Sequence, residues 1–250
     1  MTVDFAHPES DLSGYRLVVV PALYLVSDAG ADNLRRFVSG GGTALVTFFS
    51  GIVDACDRVR LGGYPAPWRD LLGLRVEELA PLPEGLAVRL EGTDAATDAA
   101  GRLWQDVIEL RGATPMLTFG EGHLAGEAAA TRHEYGRGEA LYLGTLPDRV
   151  TLGRLAARAC RRAGLELRTD LPRGVEAVRR GEYLFLISHL DRPVELELGS
   201  KRLDLLTWAM VGPRAVLAPR DALVLSGIQG GDTSAGGPLD GQPLDPALEV

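Results

Sequence analysis

The fold is decided by Tyr15-Arg-Leu-Val-Val-Val-Pro-Ala22 and Thr43-Ala-Leu-Val-Thr-Phe-Phe49, two short apolar runs near the start of the chain. Each run predicts a strand buried on both faces, as in a parallel sheet. Between them, Ser27 or Asp28 can cap a helix that ends at Ser39 and has an apolar stripe at helical spacing. A strand, a helix and a second strand with short connections predict a βαβ unit. We therefore expect an α/β fold with a doubly wound layer.

The residues that follow predict more helices and strands in the same region. Prolines and a terminating glycine favour a short helix over 65–72, and apolar spacing favours a longer one over 151–163. Alternating segments predict strands over 74–79, 86–90, 107–110 and 116–119, then a hairpin over 131–144 with its turn at 136–138.

After residue 171 the sequence changes to short alternating strands. They are predicted at 175–179, 183–188, 194–198, 203–206 and 222–225, a spacing typical of a small antiparallel β-sandwich. The prediction is therefore an α/β domain over residues 1–168 and a β domain over 171–228. A tail over 229–250, rich in Gly, Pro and Asp, is predicted to be disordered.

Composition restricts the classes of function open to the chain. Its 250 residues are 46 % hydrophobic and 24 % charged, the balance of a soluble globular protein. The net charge of −8 argues against nucleic acid or an anionic membrane surface as a partner. Residues 1–10 lack the pattern of a signal peptide, so a cytoplasmic location is expected. Cys56 and Cys160 are far apart in sequence and are expected to be free thiols.

No segment of the sequence presents a convincing catalytic constellation. Phe48-Phe-Ser-Gly51 lacks the glycines of a nucleophile elbow, and Gly40–Gly42 follow a helix where a phosphate-binding loop would precede one. The four histidines have no metal-ligand spacing. Glu77 and Glu78 are neighbours on a predicted strand and are expected to point apart. Cys56 has no histidine placed to activate it.

Aromatic residues are concentrated in the first predicted domain. Tyr64-Pro-Ala-Pro-Trp68 is a segment in which proline fixes the backbone while two rings project from it. These rings can close the local core, or they can belong to a subunit contact, where Tyr and Trp are enriched. The sequence leaves both interpretations open.

Several stretches resemble the middle and C-terminal domains of glycoside hydrolase family 42 β-galactosidases, over residues 3–228. The matching stretches include Asp11-Leu-Ser-Gly-Tyr-Arg-Leu-Val-Val-Val-Pro-Ala-Leu-Tyr-Leu-Val26, Thr47-Phe-Phe-Ser-Gly-Ile-Val-Asp54, Asp57-Arg-Val-Arg-Leu-Gly-Gly-Tyr-Pro65, Arg69-Asp-Leu-Leu-Gly-Leu-Arg-Val-Glu-Glu78, Thr131-Arg-His-Glu-Tyr-Gly-Arg-Gly138 and Leu171-Pro-Arg-Gly-Val-Glu-Ala177. The chain departs from the family pattern at Leu206-Thr-Trp-Ala-Met-Val211, which lacks the turn glycine expected after Leu-Thr.

In that family a TIM barrel with both catalytic glutamates precedes a trimerisation domain of amidotransferase-like (flavodoxin-like) fold and a small β domain. The resemblance implies that this chain begins after the barrel, since a barrel alone needs about 250 residues. It therefore implies no catalytic residue, no metal and no cofactor in this chain. It also implies that a β-galactoside is a substrate of the intact enzyme only.

The resemblance suggests two kinds of partner: further copies of the chain in a homotrimer, or a β-galactosidase barrel chain. The loop over residues 50–60 and the aromatic segment after it are the expected contact surface. Its candidate residues are Ser50, Asp54, Arg58, Tyr64, Pro65 and Trp68.

Three functions are therefore considered for the chain. The first is a non-catalytic assembly region, the trimerisation and C-terminal domains of a β-galactosidase. The second is a subunit of a split β-galactosidase that is active with a separate barrel chain. The third is a small-molecule sensor or hydrolase that uses the amidotransferase-like layer, with Cys56 as its nucleophile.

Overall fold

A mixed eight-stranded sheet organises the first of the two units into which the chain divides, Val3–Leu167 and the C-terminal Arg168–Val250. The computed structural model describes residues 3–165 and 171–226, so the tail over 229–250 lies outside the described residues. The chain is an α/β protein in which strands predominate.

The helices all lie in the first unit of the described chain. They are α1 (Asp28–Ser39), α2 (Arg69–Leu72), which follows a 3-10 turn at Ala66–Trp68, and α3 (Arg149–Arg162). The strands of this unit are β1 (Leu17–Val20), β2 (Thr43–Thr47), β3 (Leu74–Pro81), β4 (Ala87–Gly92), β5 (Ala100–Arg102), β6 (Trp104–Leu110), β7 (Thr114–Phe119), β8 (Ala128–Tyr135), β9 (Gly138–Leu143) and β10 (Leu146–Pro147).

The large sheet combines a parallel part with an antiparallel extension. Its strand order is β1-β2-β9-β8-β7-β4-β5-β10, in which β1, β2 and β9 are parallel and the remaining pairs are antiparallel. Strands β3 and β6 form a separate antiparallel pair with a bulge between Val76 and Glu78. The βαβ unit predicted from the sequence is therefore present as β1-α1-β2.

Helix α1 begins at the predicted residue because its cap is in place. The Ser27 hydroxyl accepts a hydrogen bond from the Gly30 N–H at 3.0 Å, and Asp28 places a negative charge in the first turn, where the helix dipole is positive. Its apolar stripe, which includes Leu34 and Val38, packs against Val46 of β2. This packing covers one face of the sheet.

Helix α3 covers the opposite face of the same strands. The Asp148 carboxylate caps it by accepting hydrogen bonds from the N–H groups of Val150 and Thr151 at 2.9 and 3.1 Å. Leu155 belongs to the second core cluster of this unit, together with Leu45 of β2, which points away from the α1 side. The parallel strands are thus enclosed between two helices.

Burial differs between the two strands that define the fold. Strand β2 is buried on both faces, as predicted. The same prediction is wrong for β1: this strand lies at the edge of the sheet, and Val19 is 52 % exposed. An apolar run predicts a strand but does not say whether a neighbour covers its second face.

The second unit consists of antiparallel strands, as predicted. They are β11 (Val175–Arg180), β12 (Tyr183–Ser188), β13 (Val194–Glu197), β14 (Arg202–Asp204), β15 (Ala209–Val211), β16 (Arg214–Leu217) and β17 (Ala222–Leu225). Five form a sheet in the order β11-β12-β17-β14-β15, while β13 pairs with β16. Leu186, Leu196 and Leu217 from both sheets share one core. Strands β15 and β16 were not predicted from the sequence.

The turn between β14 and β15 lacks the expected glycine and is stabilised by side-chain hydrogen bonds. Trp208 has a φ of +56°, a conformation that glycine adopts without strain. The buried Asp204 carboxylate holds this turn by accepting hydrogen bonds from the Leu206 N–H at 3.2 Å and the Thr207 hydroxyl at 2.6 Å. Side-chain hydrogen bonds therefore stabilise a backbone conformation that tryptophan disfavours.

A pair of glycine substitutions tests how tightly the first unit is packed. A Cβ atom at Gly138 would clash with the carbonyl oxygens of Val38 and Gly42, whereas one at Gly153 on α3 would meet nothing within 4 Å. We expect Gly138→Ala to lower the free energy of unfolding by more than about 2 kcal/mol and Gly153→Ala to raise it by about 0.5–1 kcal/mol. Chemical denaturation measures both. Equal effects from the two changes would contradict the close approach at Gly138.

None of the described helices has the length and apolar character needed to cross a membrane.

Candidate subunit interface

Two hydroxyl groups, one half-buried and one buried, join the loops that follow β1 and β2. The Thr47 hydroxyl accepts a hydrogen bond from the Ala22 N–H at 2.8 Å, and the Ser50 hydroxyl accepts one from the Leu23 N–H at 3.0 Å. The carboxyl ends of neighbouring parallel strands lie at the same sheet edge, so these two bonds fix the loops side by side. Ser50, predicted as a contact residue, is buried and orders the loop from within.

The joined loops present a group of aromatic rings, which we call the aromatic platform. Tyr24 stacks on Phe49 with centroids 5.1 Å apart, and Phe48 stacks on Trp104 at 5.9 Å. Phe49 also contacts Trp104 in a T-shaped arrangement with ring centroids 5.4 Å apart, which links the two pairs into one cluster. With the exposed Leu25 and Leu103 beside Tyr24 and Trp104 in the chain, the platform comprises Tyr24, Leu25, Phe48, Phe49, Leu103 and Trp104.

A buried carboxyl group fixes the orientation of one of these rings. Trp104 donates its indole N–H to Asp106 Oδ1 at 2.7 Å, and the Tyr142 hydroxyl donates to Asp106 Oδ2 at 2.6 Å. Burial raises the pKa of Asp106 to about 7, against the opposing effect of the hydrogen bonds from Tyr142 and Trp104. The pKa of Tyr142 is raised by its own burial and by the neighbouring Asp106.

Three residues of this region have backbone conformations that side chains disfavour. Ala22, Phe49 and Leu103 have φ angles of +45°, +61° and +67°. Such conformations cost on the order of 1–3 kcal/mol each and persist only where the surrounding structure imposes them. Thr47 and Ser50 supply that constraint for the loops after β1 and β2.

The predicted aromatic segment at 64–68 is divided between the core and the surface. Trp68 is 1 % exposed and donates its indole N–H to the Ala31 carbonyl at 3.2 Å. Pro65 is also buried, and Tyr64 is half-buried, with its backbone paired to Val76. Of the two interpretations of this segment, closing the local core describes Trp68 and Pro65, which leave little surface for a partner.

The loop over residues 50–60 is ordered by one carboxylate. Asp54 accepts hydrogen bonds from the Cys56 N–H at 2.8 Å and from the Arg58 N–H at 3.1 Å, and it forms an ion pair with the Arg58 guanidinium at 2.8 Å. The hydrogen bonds from the backbone of Arg58 and Cys56 lower the pKa of Asp54. Arg58 is exposed and Asp54 is half-buried, so a role for both in a subunit contact stays a prediction.

The other candidates from the sequence lie in ordinary structural settings. Cys56 is exposed in the loop, and Glu77 and Glu78 are both exposed. His133 lies 3.0 Å from the Leu71 carbonyl through Nδ1, and His189 pairs with a surface carboxylate. Within residues 3–165 and 171–226, no group of three His, Cys, Asp or Glu side chains could hold a metal ion.

The triple glycine lines a cleft of about 500 Å³ at the C-terminal end of α1. Three arginines also line it, and all three have partners: Arg16 donates to the Gly164 carbonyl at 2.7 Å, Arg36 donates to Asn33 Oδ1 at 3.4 Å, and Arg162 forms an ion pair with Glu139 at 4.0 Å. The partial charge at a helix C-terminus is negative, which disfavours an anion in this cleft.

These features define a class of protein: an α/β unit with an exposed aromatic face at the carboxyl edge of its parallel strands, followed by a small antiparallel β unit. The model of one family, described as the β-galactosidase trimerisation domain, matches residues 1–166. The chain therefore belongs to the glycoside hydrolase family 42 β-galactosidases, through their trimerisation domain.

Related proteins agree with this family and show how much of them the chain represents. It is 43 % identical over 202 residues to a β-galactosidase of Geobacillus sp. (strain Y412MC61), covering 79 % of this chain and 30 % of the relative. It is 38 % identical over 231 residues to a β-galactosidase of Heyndrickxia coagulans, and this match covers 91 % of this chain and 34 % of the relative. The chain thus spans about a third of the length of these relatives.

Solved structures show that the likeness extends to the fold. The β-galactosidase of Bacillus circulans sp. alkalophilus superposes with a TM-score of 0.78 at 32 % identity, covering 87 % of this chain and 34 % of that one. The cold-adapted β-galactosidase of Rahnella sp. R3 gives a TM-score of 0.80 at 28 % identity. This match covers 90 % of this chain and 34 % of that one.

The sequence indicates the rings of the aromatic platform only as members of a domain rich in aromatic residues. A sharper signal was present: Trp104 and Asp106 are two apart on a strand, so their side chains lie on the same face. The contact of Phe48 and Phe49 with Trp104 joins segments far apart in sequence, and periodicity gives no information on such contacts.

Proposed function

We propose that this chain is the assembly region of a β-galactosidase, and that it joins further copies of itself as a homotrimer. The match of the trimerisation-domain family to residues 1–166 is the observation that supports this proposal most strongly. The intact enzyme would hydrolyse terminal β-D-galactosides, the activity named for its relatives. In this proposal the present chain holds the subunits together.

A trimer of this kind forms by a repeated head-to-tail contact. In a closed ring with threefold symmetry, one patch of each subunit meets a different patch of the next. The stabilising term is the burial of apolar surface, and a stable contact removes about 800 Å² from each partner. The proposal therefore requires exposed apolar surface on the first unit.

We further propose that the first unit is amidotransferase-like (flavodoxin-like) at its centre. The three parallel strands β1, β2 and β9 between α1 and α3 support this assignment. The antiparallel strands that extend the sheet beyond β9 are the feature in which the unit differs from a wholly parallel doubly wound layer.

Light scattering coupled to size-exclusion chromatography tests the assembly directly. The chain has a mass of 26.7 kDa, so we expect a main species of about three times that mass. The expected species dissociates on dilution, because the contact is held by apolar burial rather than by covalent bonds. A chain that stays at the monomer mass over the whole accessible concentration range would contradict the proposed trimer.

A second candidate is a subunit of a split β-galactosidase, which would act together with a separate barrel chain. Mixing the chain with a separately produced barrel fragment of such a relative tests it. A gain of β-galactosidase activity on mixing would support a subunit that restores the enzyme, and the barrel fragment alone is the control. An unchanged activity would leave the assembly role as the better account.

A further inference from the structure

We propose that the aromatic platform is the face on which a second copy of this chain packs in the assembled protein. The inference rests on the proposed trimer and adds to it the location of the contact. It differs from the sequence-based prediction, which centred on the segment 64–68 and the loop over 50–60.

The exposure of the platform points to a partner. Leu103 is 55 % exposed and Tyr24 is 37 % exposed, although both are large apolar or aromatic side chains. Leu25 is exposed too, and the three remaining rings are half-buried. Scattered apolar residues are normal on a protein surface, but contiguous ones with aromatic members are typical of an interaction site.

The absence of charge on this particular face is compatible with an identical chain as its occupant. Each copy has a net charge of −8, so two copies repel each other wherever their carboxylates approach. None of the six platform residues is an Asp, Glu, Lys, Arg or His. Electrostatic repulsion between two copies is therefore weakest at such a face. The matching family model is described as a trimerisation domain, which indicates copies of the domain as the partner.

The platform is also ordered in the single chain. Trp104 is held by Asp106, the rings of Phe48 and Phe49 are held by Trp104, and Tyr24 is held by Phe49. Ordered rings lose little conformational entropy when a partner covers them, and this leaves more of the burial free energy for association.

The strained backbone gives a further reason to assign function to this face. Leu103 is exposed at a φ of +67°, where asparagine or glycine would be less strained. In the described single chain the Leu103 side chain is largely in solvent. Burial within the chain therefore does not explain why an apolar residue occupies this position. A partner that covers Leu103 supplies the missing apolar burial.

A double substitution at exposed positions tests the proposal without disturbing the core. In Tyr24→Ser/Leu103→Asn both apolar side chains are lost, while asparagine suits the backbone of position 103. The matched control is Tyr183→Ser/Leu206→Asn in the second unit, where the parent residues are 40 % and 59 % exposed. Sedimentation equilibrium over a dilution series gives the association constant of each, and circular dichroism verifies that each is folded.

We expect the platform variant to associate at least about tenfold more weakly than the parent, and the control to stay within about twofold. A folded platform variant that associates like the parent would overturn the platform as the contact face, while the trimer itself stands. Such a result would arise if a barrel domain covers the platform. A parent chain that is monomeric throughout would instead refute the proposed function.

Hydroxyl-radical footprinting of the unsubstituted chain gives an independent test that needs no variant. We expect Tyr24 and Leu25 to be protected from oxidation in the concentrated, assembled sample and to become reactive on dilution. Tyr183 is the internal reference, with reactivity that does not follow concentration. Equal reactivity of Tyr24 in both samples of an assembling chain would contradict the proposal.

Discussion

Trp68→Ala is expected to lower the free energy of unfolding of the first unit by about 3–5 kcal/mol. The indole is almost completely buried, lies in the core between α1 and α2, and donates to the Ala31 carbonyl. Its removal leaves a cavity that rigid neighbours such as Leu71 and Leu72 fill only in part. Urea unfolding followed by the helical circular dichroism signal measures the change, because all of the described helices lie in the first unit.

Trp208→Ala is the matched control for this substitution. Trp208 is 76 % exposed in the second unit, and alanine keeps the same kind of backbone strain there. We expect its effect to stay within about 0.5 kcal/mol, as for surface positions in general. Similar losses from both tryptophans would show that Trp68 does not close the core of the first unit.

Asp106 is expected to make the stability of the chain decrease as the pH rises from about 4 to about 7. Its ordinary pKa is 3.8 and burial raises it to about 7 in the folded chain. Between these values the folded chain retains a proton that the unfolded chain releases, so folding is favoured at acid pH and this contribution is lost as the pH passes 7. The difference in pKa corresponds to about 4 kcal/mol over the whole window.

Asp106→Asn isolates this contribution. The asparagine oxygen can accept from Trp104 and its amide can donate to the Tyr142 oxygen, so the hydrogen bonds persist without a titratable group. We expect the variant to be more stable than the parent above pH 7 and similar to it below pH 4. The measurement is the free energy of unfolding of the variant and of the parent across this pH range. Subtracting one from the other removes the contributions of all other carboxyl groups.

Asp98→Asn serves as the control for the same chemical change at an exposed aspartate of the first unit. We expect this variant to follow the pH dependence of the parent. If Asp106→Asn also runs parallel to the parent, the carboxyl group of Asp106 does not hold its proton in the folded chain.

The sequence predicts most of the local structure because local signals determine it. The limits of α1 follow from Ser27 and the spacing of its apolar residues, and the hairpin of β8 and β9 follows from its glycine turn. The exposed second face of β1 is not predictable from the run itself, because burial of a strand face depends on which helix packs over it, and that is a property of the whole fold. Short strands such as β5 and β10 leave too little pattern to detect.

The aromatic platform is harder to predict than the fold for a related reason. Trp68 and Trp104 both lie beside polar or prolyl residues in the sequence, yet one is in the core and the other on the platform. What separates them is the position of distant segments: α1 packs on Trp68, whereas Trp104 contacts Phe48 and Phe49 and stays half-buried. Family resemblance predicts that subunits meet but identifies no face, and the aromatic platform that we propose as this face forms only when distant segments come together in the fold.

The exposed strand β1 has a consequence for how the chain behaves when concentrated or partly unfolded. Leu17-Val-Val-Val20 is an uncharged apolar stretch with three β-branched residues at the edge of the sheet, the type of segment that pairs with identical stretches in fibrils. A cation at Arg16 precedes it, and Pro21, which has no backbone N–H to donate, ends it. These two flanking residues oppose pairing with the strand of another chain. They therefore make an exposed sheet edge tolerable next to an aggregation-prone sequence.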